Sequence, residues 1–483
     1  MKKLLFLIGI LSSGLYGASI DHIQTYSPDY LANQAQTGMI DEVSAYYNPA
    51  GLSRLDKGKY VHLGLQLANG HEKMSYKGKE HKAHLTQLIP NVSLTSVDDN
   101  GAYFFTFGGL AGGGKLEYDG VSGIDVLSDL DQFKPLGVYD KGSTLTGKNL
   151  YEQATLGRAF TINDQLSVSV AGRIVHGSRN LSGTLNIGTN PSTAYKQAKV
   201  QQVTQEVSKA VDAATQGSGL SAAQIAAIKQ QKTTQALTLL QTKMNALQQN
   251  GLSGDLDSKR EAWGYGFQIG VNYKVNDKLN LAARYDSRIK MNFKAKGSEN
   301  QLQTADIIGS NIGLSTFYPQ YAINSKIRRD LPAILSVGAS YKVTDNYLVS
   351  TSANYYFNRH AKMDRVTTFG GHEHGRDYKN GWEIALGNEY KLNDKFTLIG
   401  SVNYARTGAK NSSFNDTEYA LNSVTLGAGL RYKYDETLSI TGSVAHFIYD
   451  KENGNFKEKY KVNDNQKYHK EITAFGLSVT KKF

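Results

Sequence analysis

Apolar side chains recur at every second position in six stretches of the chain's second half, and this limits the possible folds more than anything else in the sequence. Tyr265, Phe267, Ile269, Val271 and Tyr273 alternate with Gly266, Gln268, Gly270, Asn272 and Lys274. The period returns in Leu335, Val337, Ala339, Tyr341 and Val343, and in Trp382, Ile384, Leu386, Asn388 and Tyr390. It returns again in Phe396, Leu398, Gly400, Val402 and Tyr404, and in Val424, Leu426, Ala428, Leu430 and Tyr432. Phe475, Leu477, Val479, Lys481 and Phe483 end the chain on the same pattern. A period of two gives a strand one apolar and one polar face. Six such strands with aromatic ends describe a sheet between lipid and a polar interior.

The connections alternate in length. Short turns are expected at 98–101, 163–164, 276–278, 345–346, 393–395 and 435–436, with long polar loops near 110–150, 178–262, 290–331, 359–381, 408–420 and 450–469. Outer-membrane barrels have short periplasmic turns and long extracellular loops. With a first hairpin around 58–97, the breaks give an all-β, 14-stranded antiparallel transmembrane barrel over 58–483. A soluble sandwich or propeller would not alternate its connections in this way. The composition agrees: 30 Tyr suit membrane interfaces, and a mean hydropathy of −0.42 suits strands with only one apolar face.

The N-terminus places the chain. Lys2 and Lys3 precede an apolar run from Leu4 to Leu11, followed by the small residues Gly14, Gly17, Ala18 and Ser19. This is the order of a cleaved secretory signal, residues 1–17, and the run is too short for a membrane helix. The expected location is the cell outer membrane of a Gram-negative bacterium. The formal charge is +11, or +9 without Lys2 and Lys3. An exported basic chain rarely meets nucleic acid, so anionic lipopolysaccharide, outer-membrane lipid and acidic ligands are the partners to expect. With no cysteine, stability must come from the fold itself.

Two segments fall outside the strand pattern. Residues 18–57 read as short helices and turns. Ser27 before Pro28 suggests an N-cap, and Tyr46-Tyr47-Asn48-Pro49-Ala50-Gly51-Leu52 suggests a turn capped by Asn48 and ended by Gly51 at positive φ. Fourteen strands leave a lumen wider than side chains fill, so this segment is expected to plug it. Residues 193–250 shift to Ala, Gln, Lys and Thr. Val200, Val203, Val207 and Val211 recur at helical spacing, a Gly217-Ser218-Gly219 break follows, and Ser221 with Gln224 reads as a capping box. A helical hairpin in the third extracellular loop is expected, with Gly251 as its stop.

The Asn48, Pro49, Ala50, Gly51 junction, with Asp330-Leu331-Pro332-Ala333 opening a strand and two strands from Gly381 to Tyr404 joined by Asn393-Asp394-Lys395, resembles the FadL/TodX family of outer-membrane transporters. The likeness extends over the mature chain, and the hairpin is its clearest departure. It implies uptake of long-chain fatty acids or related hydrophobic molecules without ATP. Ligand would be collected at extracellular loops, held inside the barrel, and released sideways beside a kinked third strand after the plug shifts. Gly108, Gly109, Gly112, Gly113 and Gly114 offer a place for that kink, although a flexible strand exit would use the same glycines.

A fatty carboxylate in such a lumen needs a cation. Arg173, Arg284 and Arg431 alternate with outward apolar neighbours and so point inward, with Arg179 near the rim. Each is a candidate for the ligand carboxylate, or else for pairing with Asp286, Glu383 or Glu389. His372-Glu373-His374 lacks the helical His-Glu-x-x-His spacing and reads as a loop rather than a metal site. No catalytic constellation is legible, and no enzyme and no cofactor are expected. The rival to transport is a surface adhesin, with the barrel anchoring 193–250 for a host-surface partner.

Overall fold

Alternation in sequence becomes alternation in exposure. In the computed structural model, Leu63, Leu65 and Leu67 of the first strand are exposed, while His62 and Gln66, on the alternate positions, are buried. The structure describes residues 26–483, except 132, 297–300, 305–311, 314–322, 363–365, 368–372, 375–377 and 415–418. The expected leader and the start of the plug lie outside the described residues.

Fourteen strands make the wall: β1 (Gly58–Tyr76), β2 (Lys79–Asp98), β3 (Gly101–Tyr118), β4 (Thr144–Thr161), β5 (Leu166–Gly188), β6 (Leu252–Lys274) and β7 (Leu279–Asp286), then β8 (Ile334–Thr344), β9 (Tyr347–Tyr356), β10 (Gly381–Lys391), β11 (Phe396–Arg406), β12 (Ser423–Lys433), β13 (Leu438–Tyr449) and β14 (Lys467–Lys482). Each pairs antiparallel with the next, and β14 closes on β1 from Lys482↔Tyr60 to Lys467↔Ser75. Closure leaves no open edge, the condition for a sheet in hydrocarbon. Tyr265, Phe267, Leu386, Leu426, Phe475 and Leu477 are exposed on the outer face.

One local device sets the turns at the end of the barrel where the chain terminates. Asn163, Asn276, Asn393 and Asp435 each accept N–H bonds from the residues two and three places on through the side-chain Oδ1, at 2.7–2.9 Å for the first of each pair. These Asx-type bonds close the turn. At the opposite end β1 meets β2 through 77–78, where Lys77 (φ 48°) and Gly78 (φ 84°) both adopt left-handed conformations, as a two-residue hairpin turn demands.

Strand length departs from expectation. β3 runs to Tyr118, β5 to Gly188, and β6 begins at Leu252, so the loops expected near 110–150 and 178–262 are partly sheet. β1–β6 hold 18–23 residues, whereas β7–β13 hold 8–12. A bilayer takes about 9–11 residues per strand, so one side of the barrel continues past the membrane on the extracellular side. There the outward residues are polar, as in Ser178, Asn180 and Ser182, and hydrophobic alternation no longer reports the strand.

The third extracellular loop carries α3 (Thr193–Thr215) and α4 (Ala222–Asn250), while α1 (Pro28–Ala32) and α2 (Ser44–Tyr47) belong to the N-terminal segment. The Ser192 side chain accepts the Tyr195 N–H, and Ser221 with Gln224 forms the capping box. Gly251 (φ 67°) donates to the Leu247 carbonyl and ends α4. Val211, Met244 and Leu247 are the buried side chains of the hairpin, and Leu247 joins the apolar cluster that holds Leu181 and Ile187 of β5. The root of the hairpin is pinned by Thr189 Oγ1 donating to Leu247 O (3.0 Å) and Ser192 N–H donating to Pro135 O (2.9 Å).

The ladder beneath the hairpin ends at Ile187↔Leu252. Replacing 190–250 by a short Gly-Ser turn should therefore leave the barrel intact. The expected result is unchanged heat-modifiable migration from the outer membrane; loss of the folded band would mean that the hairpin supports the wall.

Candidate functional site

The N-terminal segment lies inside the barrel because the wall supplies polar partners for its backbone. Ser443 Oγ donates to Pro28 O (2.7 Å), Ser401 to Ala32 O (2.8 Å), Ser340 to Gly38 O (2.8 Å) and Ser167 to Ala50 O (2.7 Å). Asn280 donates to Gly38 O (2.9 Å), Asn33 donates to Ser350 Oγ (3.1 Å), and the Thr37 N–H donates to Ser352 Oγ (2.9 Å). Each is worth about 1 kcal/mol net, and a buried carbonyl without one would cost more. Backbone approaches this close need glycine. A Cβ on Gly38 would lie 2.3 Å from the Ala339 carbonyl carbon, and one on Gly387 would lie 1.9 Å from Asn33 Oδ1.

Three local expectations change. Helix α1 starts at Pro28, but Ser27 does not cap it; its hydroxyl lies 3.3 Å from the Tyr47 hydroxyl. Asn48 does not cap the turn either, since its Nδ2 donates to Met39 O (3.0 Å) and to Asn272 Oδ1 on β6 (2.8 Å). Pro49–Arg54 is a 3-10 helix running through Ala50 and Gly51, and Gly51 does not have positive φ. Gly51 is needed for room instead: a Cβ there would meet Asn48 Nδ2 at 2.7 Å. Tertiary partners outcompete local caps because the lumen offers acceptors that a free helix would lack.

Tyr26, Tyr30, Tyr46 and Tyr47 stack into one cluster, and burial pushes their hydroxyls up, that of Tyr26 to about 12. Asp41 accepts the N–H groups of Val43 and Ser44 at 3.0 Å each, while its second oxygen is buried without a hydrogen-bond partner. Burial pushes this carboxyl up to about 7, against the opposing pull of Arg431.

The four arginines occupy different settings. Arg173 Nε and Nη2 donate to Gln153 Oε1 (3.0 and 2.7 Å), and its guanidinium lies 3.6 Å from Asp286. Arg284 stands 3.2 Å from the same carboxylate and donates to Tyr46 O. Arg431 reaches Glu389 at 2.9 Å, and Arg179 lies over the Phe293 ring at 5.7 Å. Glu383 accepts from Asn354, Tyr356 and Asn403. Of the histidine motif, Glu373–His374 pairs with Val366–Thr367 in a small ribbon, and His372 lies outside the described residues.

The glycine cluster marks a break in the wall. β2 and β3 pair from Asp98↔Gly101 to Asn91↔Gly108, and again from Leu85↔Leu116 to Ala83↔Tyr118. Between them the ladder lapses, and 86–90 faces 109–115 unpaired. β3 stays attached to β4 through two irregularities, at Gly109/Ala111 and Ala111/Gly114. Gly112 (φ 126°) and Gly114 (φ 67°) adopt backbone that other residues resist, and Gly113 lies within the second irregularity. Leu110 turns inward against Tyr151.

A cavity inside the barrel reaches this break. Gln87 and Ile89 line it from β2, and Gly109, Ala111, Gly112 and Gly114 from β3. Leu31 of the plug, Phe447 and Ile472 complete its apolar wall. Above it, Leu116, Ile124, Leu127, Phe133, Phe414 and Tyr468 form an apolar cluster under the extracellular loops. Glu72 and Lys470 face each other at 3.2 Å beside the cavity, with Tyr118 donating to Glu72 and Tyr419 stacked under the ammonium. Sequence reading missed the β2 side of the break. Pro90 was the available clue, since a residue without an N–H fits a strand where pairing is forgone.

A family model described as outer membrane protein transport protein (OMPP1/FadL/TodX) matches residues 30–483. Outer membrane protein P1 of Haemophilus influenzae is 24% identical over 257 residues, 51% of this chain and 52% of that protein. The long-chain fatty acid transport protein of Escherichia coli is 21% identical over 275 residues, 56% and 58% of the two. The chain spans about half the length of the curated relatives it matches. Among solved structures, a Pseudomonas aeruginosa FadL homologue matches 96% of this chain and 100% of that one at TM-score 0.64 and 16% identity. The Pseudomonas putida toluene transporter TodX matches 96% and 99% at TM-score 0.61 and 15% identity, and both likenesses concern the fold.

Two outcomes follow for the plug. Gly38→Val forces the segment off Ala339 without touching a strand, and should raise conductance in planar bilayers; unchanged conductance would mean that the segment does not limit the pore. For Asp41 the folded pKa stands above the unfolded one. Its contribution is complete below about pH 4 and lost as pH rises through about 7. The unfolding temperature should fall across that interval, and Asp41→Asn should flatten the step.

Proposed function

The chain belongs to the outer membrane protein transport family that includes FadL and TodX, and on that basis we propose that it is a channel for passive uptake of hydrophobic molecules. Long-chain fatty acids and small aromatic hydrocarbons are the ligand classes that the names of its relatives suggest. The observation that carries the reading is the continuity of the lumen cavity with the break between β2 and β3. An apolar molecule gains about 0.8 kcal/mol for each CH₂ kept from water. A route from the apolar cluster under the loops, past Leu31 and Ile472, and out between Ile89 and Gly109 keeps it from water to the bilayer. A straight path to the periplasm would cross the plug and its serine-lined wall, where an apolar ligand replaces hydrogen bonds with nothing.

Lateral release asks the wall to open where opening costs least. At 86–90 and 109–115 no bonds between β2 and β3 need to be broken, and only the side chains of Ile89, Gln87 and Leu85 reach across to the glycines. A Cβ on Gly109 would come within 2.8 Å of Ile89 Cγ2, so side chains at these two positions would close the window.

The adhesin reading draws on a separate observation, the exposed outer faces of α3 and α4, where Val200 and Leu239 are solvent-exposed. The two readings separate cleanly, because the hairpin and the break occupy different parts of the molecule.

The test is an Ile89→Cys/Gly109→Cys pair in a chain with no other thiol. Oxidation should stop uptake of a labelled fatty acid or aromatic, and reduction should restore it, with surface display unchanged in both states. Uptake through the oxidised barrel would overturn lateral exit. Absence of uptake by the unmodified protein, with host-cell binding lost on removal of 190–250, would favour the adhesin.

A further inference from the structure

Outside the barrel, just beyond the apolar belt on its extracellular side, basic side chains face one another across β14, β1 and β2. The outward row on β1 runs Leu63, Leu65, Leu67, Asn69, His71, Lys73. On β2 it runs Leu88, Thr86, His84, Lys82, and on β14 Leu477, Phe475, Thr473, Glu471, His469. The leucines and Phe475 are exposed, as lipid-facing residues are. Polar Asn69, Thr86 and Thr473 share the next level, because they are register partners in one line. The bases begin one step further out.

Register makes the cluster close. His71 stands directly opposite His84, Lys73 directly opposite Lys82, and Lys73 directly opposite His469 on its other side. Side chains so placed have Cβ atoms about 4.5–5.5 Å apart, and like charges at that spacing repel. Two carboxylates lie among them: Glu80, 3.7 Å from Lys73 and 3.0 Å from Lys82, and Glu471, 3.6 Å from His71. Glu117, the partner of His84 on β3, is taken up by Lys115, and Asp119 accepts the Lys82 backbone N–H. Lys467 closes the row on β14, opposite Ser75. Six nitrogen bases thus share two carboxylates.

We propose that this surface binds a phosphate of the phosphorylated glycolipid of the outer leaflet, the lipid A moiety of lipopolysaccharide. Depth selects the occupant. Its acyl chains would lie along Leu67, Leu88 and Phe475, its sugars at the Asn69, Thr86 and Thr473 level, and its phosphate between Lys73 and Lys82. A soluble anion would satisfy the charges but leave the apolar rows beneath without their partner. Basic residues at headgroup level hold anionic lipid by the same electrostatics. The site is independent of the lumen and of any transported molecule. It adjoins the unpaired 86–90 stretch of β2, so the bound lipid would stand at one post of the window.

The test uses the full barrel in detergent, with lipid exchanged for a defined probe and retention read by native mass spectrometry. Wild type should keep bis-phosphorylated lipid A in preference to dephosphorylated lipid A and to phosphatidylglycerol. Lys73→Gln/Lys82→Gln should bind it at least tenfold more weakly, with heat-modifiable migration confirming a folded barrel. Lys391→Gln/Lys395→Gln, at the opposite rim, should bind as wild type does. Equal retention of the dephosphorylated form, equal binding by the Lys73/Lys82 variant, or full displacement by millimolar inorganic phosphate would each overturn the proposal.

Discussion

A sheet in hydrocarbon must pair its own backbone, because no water is present to do it, and each unmet N–H or carbonyl costs several kcal/mol. The other features of this molecule are arranged around that requirement. Closure of β14 on β1 removes the edges, and the Asx bonds at the turns let strands of ordinary sequence reverse without leaving orphan groups. Against this background the lapse between β2 and β3 carries meaning. It is furnished with the residues that make a lapse tolerable: Pro90, which has no N–H to satisfy, and glycines that bend β3 inward while β4 holds it.

The plug is governed by a second rule, close approach of two backbones. Wall serines and asparagines donate to plug carbonyls, and wall glycines clear the space for it. A hydrogen-bonded interface of small residues holds a segment firmly in one position, yet each bond is worth only about 1 kcal/mol. Such a seating can be released stepwise, unlike an apolar core. The charges of the lumen add fixed points: Arg173 and Arg284 converge on Asp286, and Arg431 on Glu389.

The two sides of the barrel differ. β1–β6 rise past the bilayer, carry the helical hairpin at their far end, and include the break; β7–β13 scarcely exceed the membrane. The apolar cluster under the loops, the cavity and the window therefore lie along one flank, and so does the basic surface on β14, β1 and β2.

Much of this was legible in the order of residues. Periodicity of two, the spacing of Asn and Asp turns, and the aromatic strand ends determined a 14-stranded barrel, because lipid on one face and water on the other write directly into alternate positions. The capping box at Ser221 and Gln224 and the Gly251 stop were also local, and local chemistry suffices for them. Tertiary structure alone decided the roles of Asn48, which serves Asn272 on β6, of Ser27, which meets Tyr47 across the plug, and of Gly51, which leaves room for the Asn48 side chain. It alone showed that Gly108 stays paired with β2 while Gly109 to Gly114 keep only their contact with β4, and that the other side of the window is Gln87 to Pro90. The reason is register: a strand's sequence sets which face each residue takes, but only the neighbouring strand sets what it stands beside.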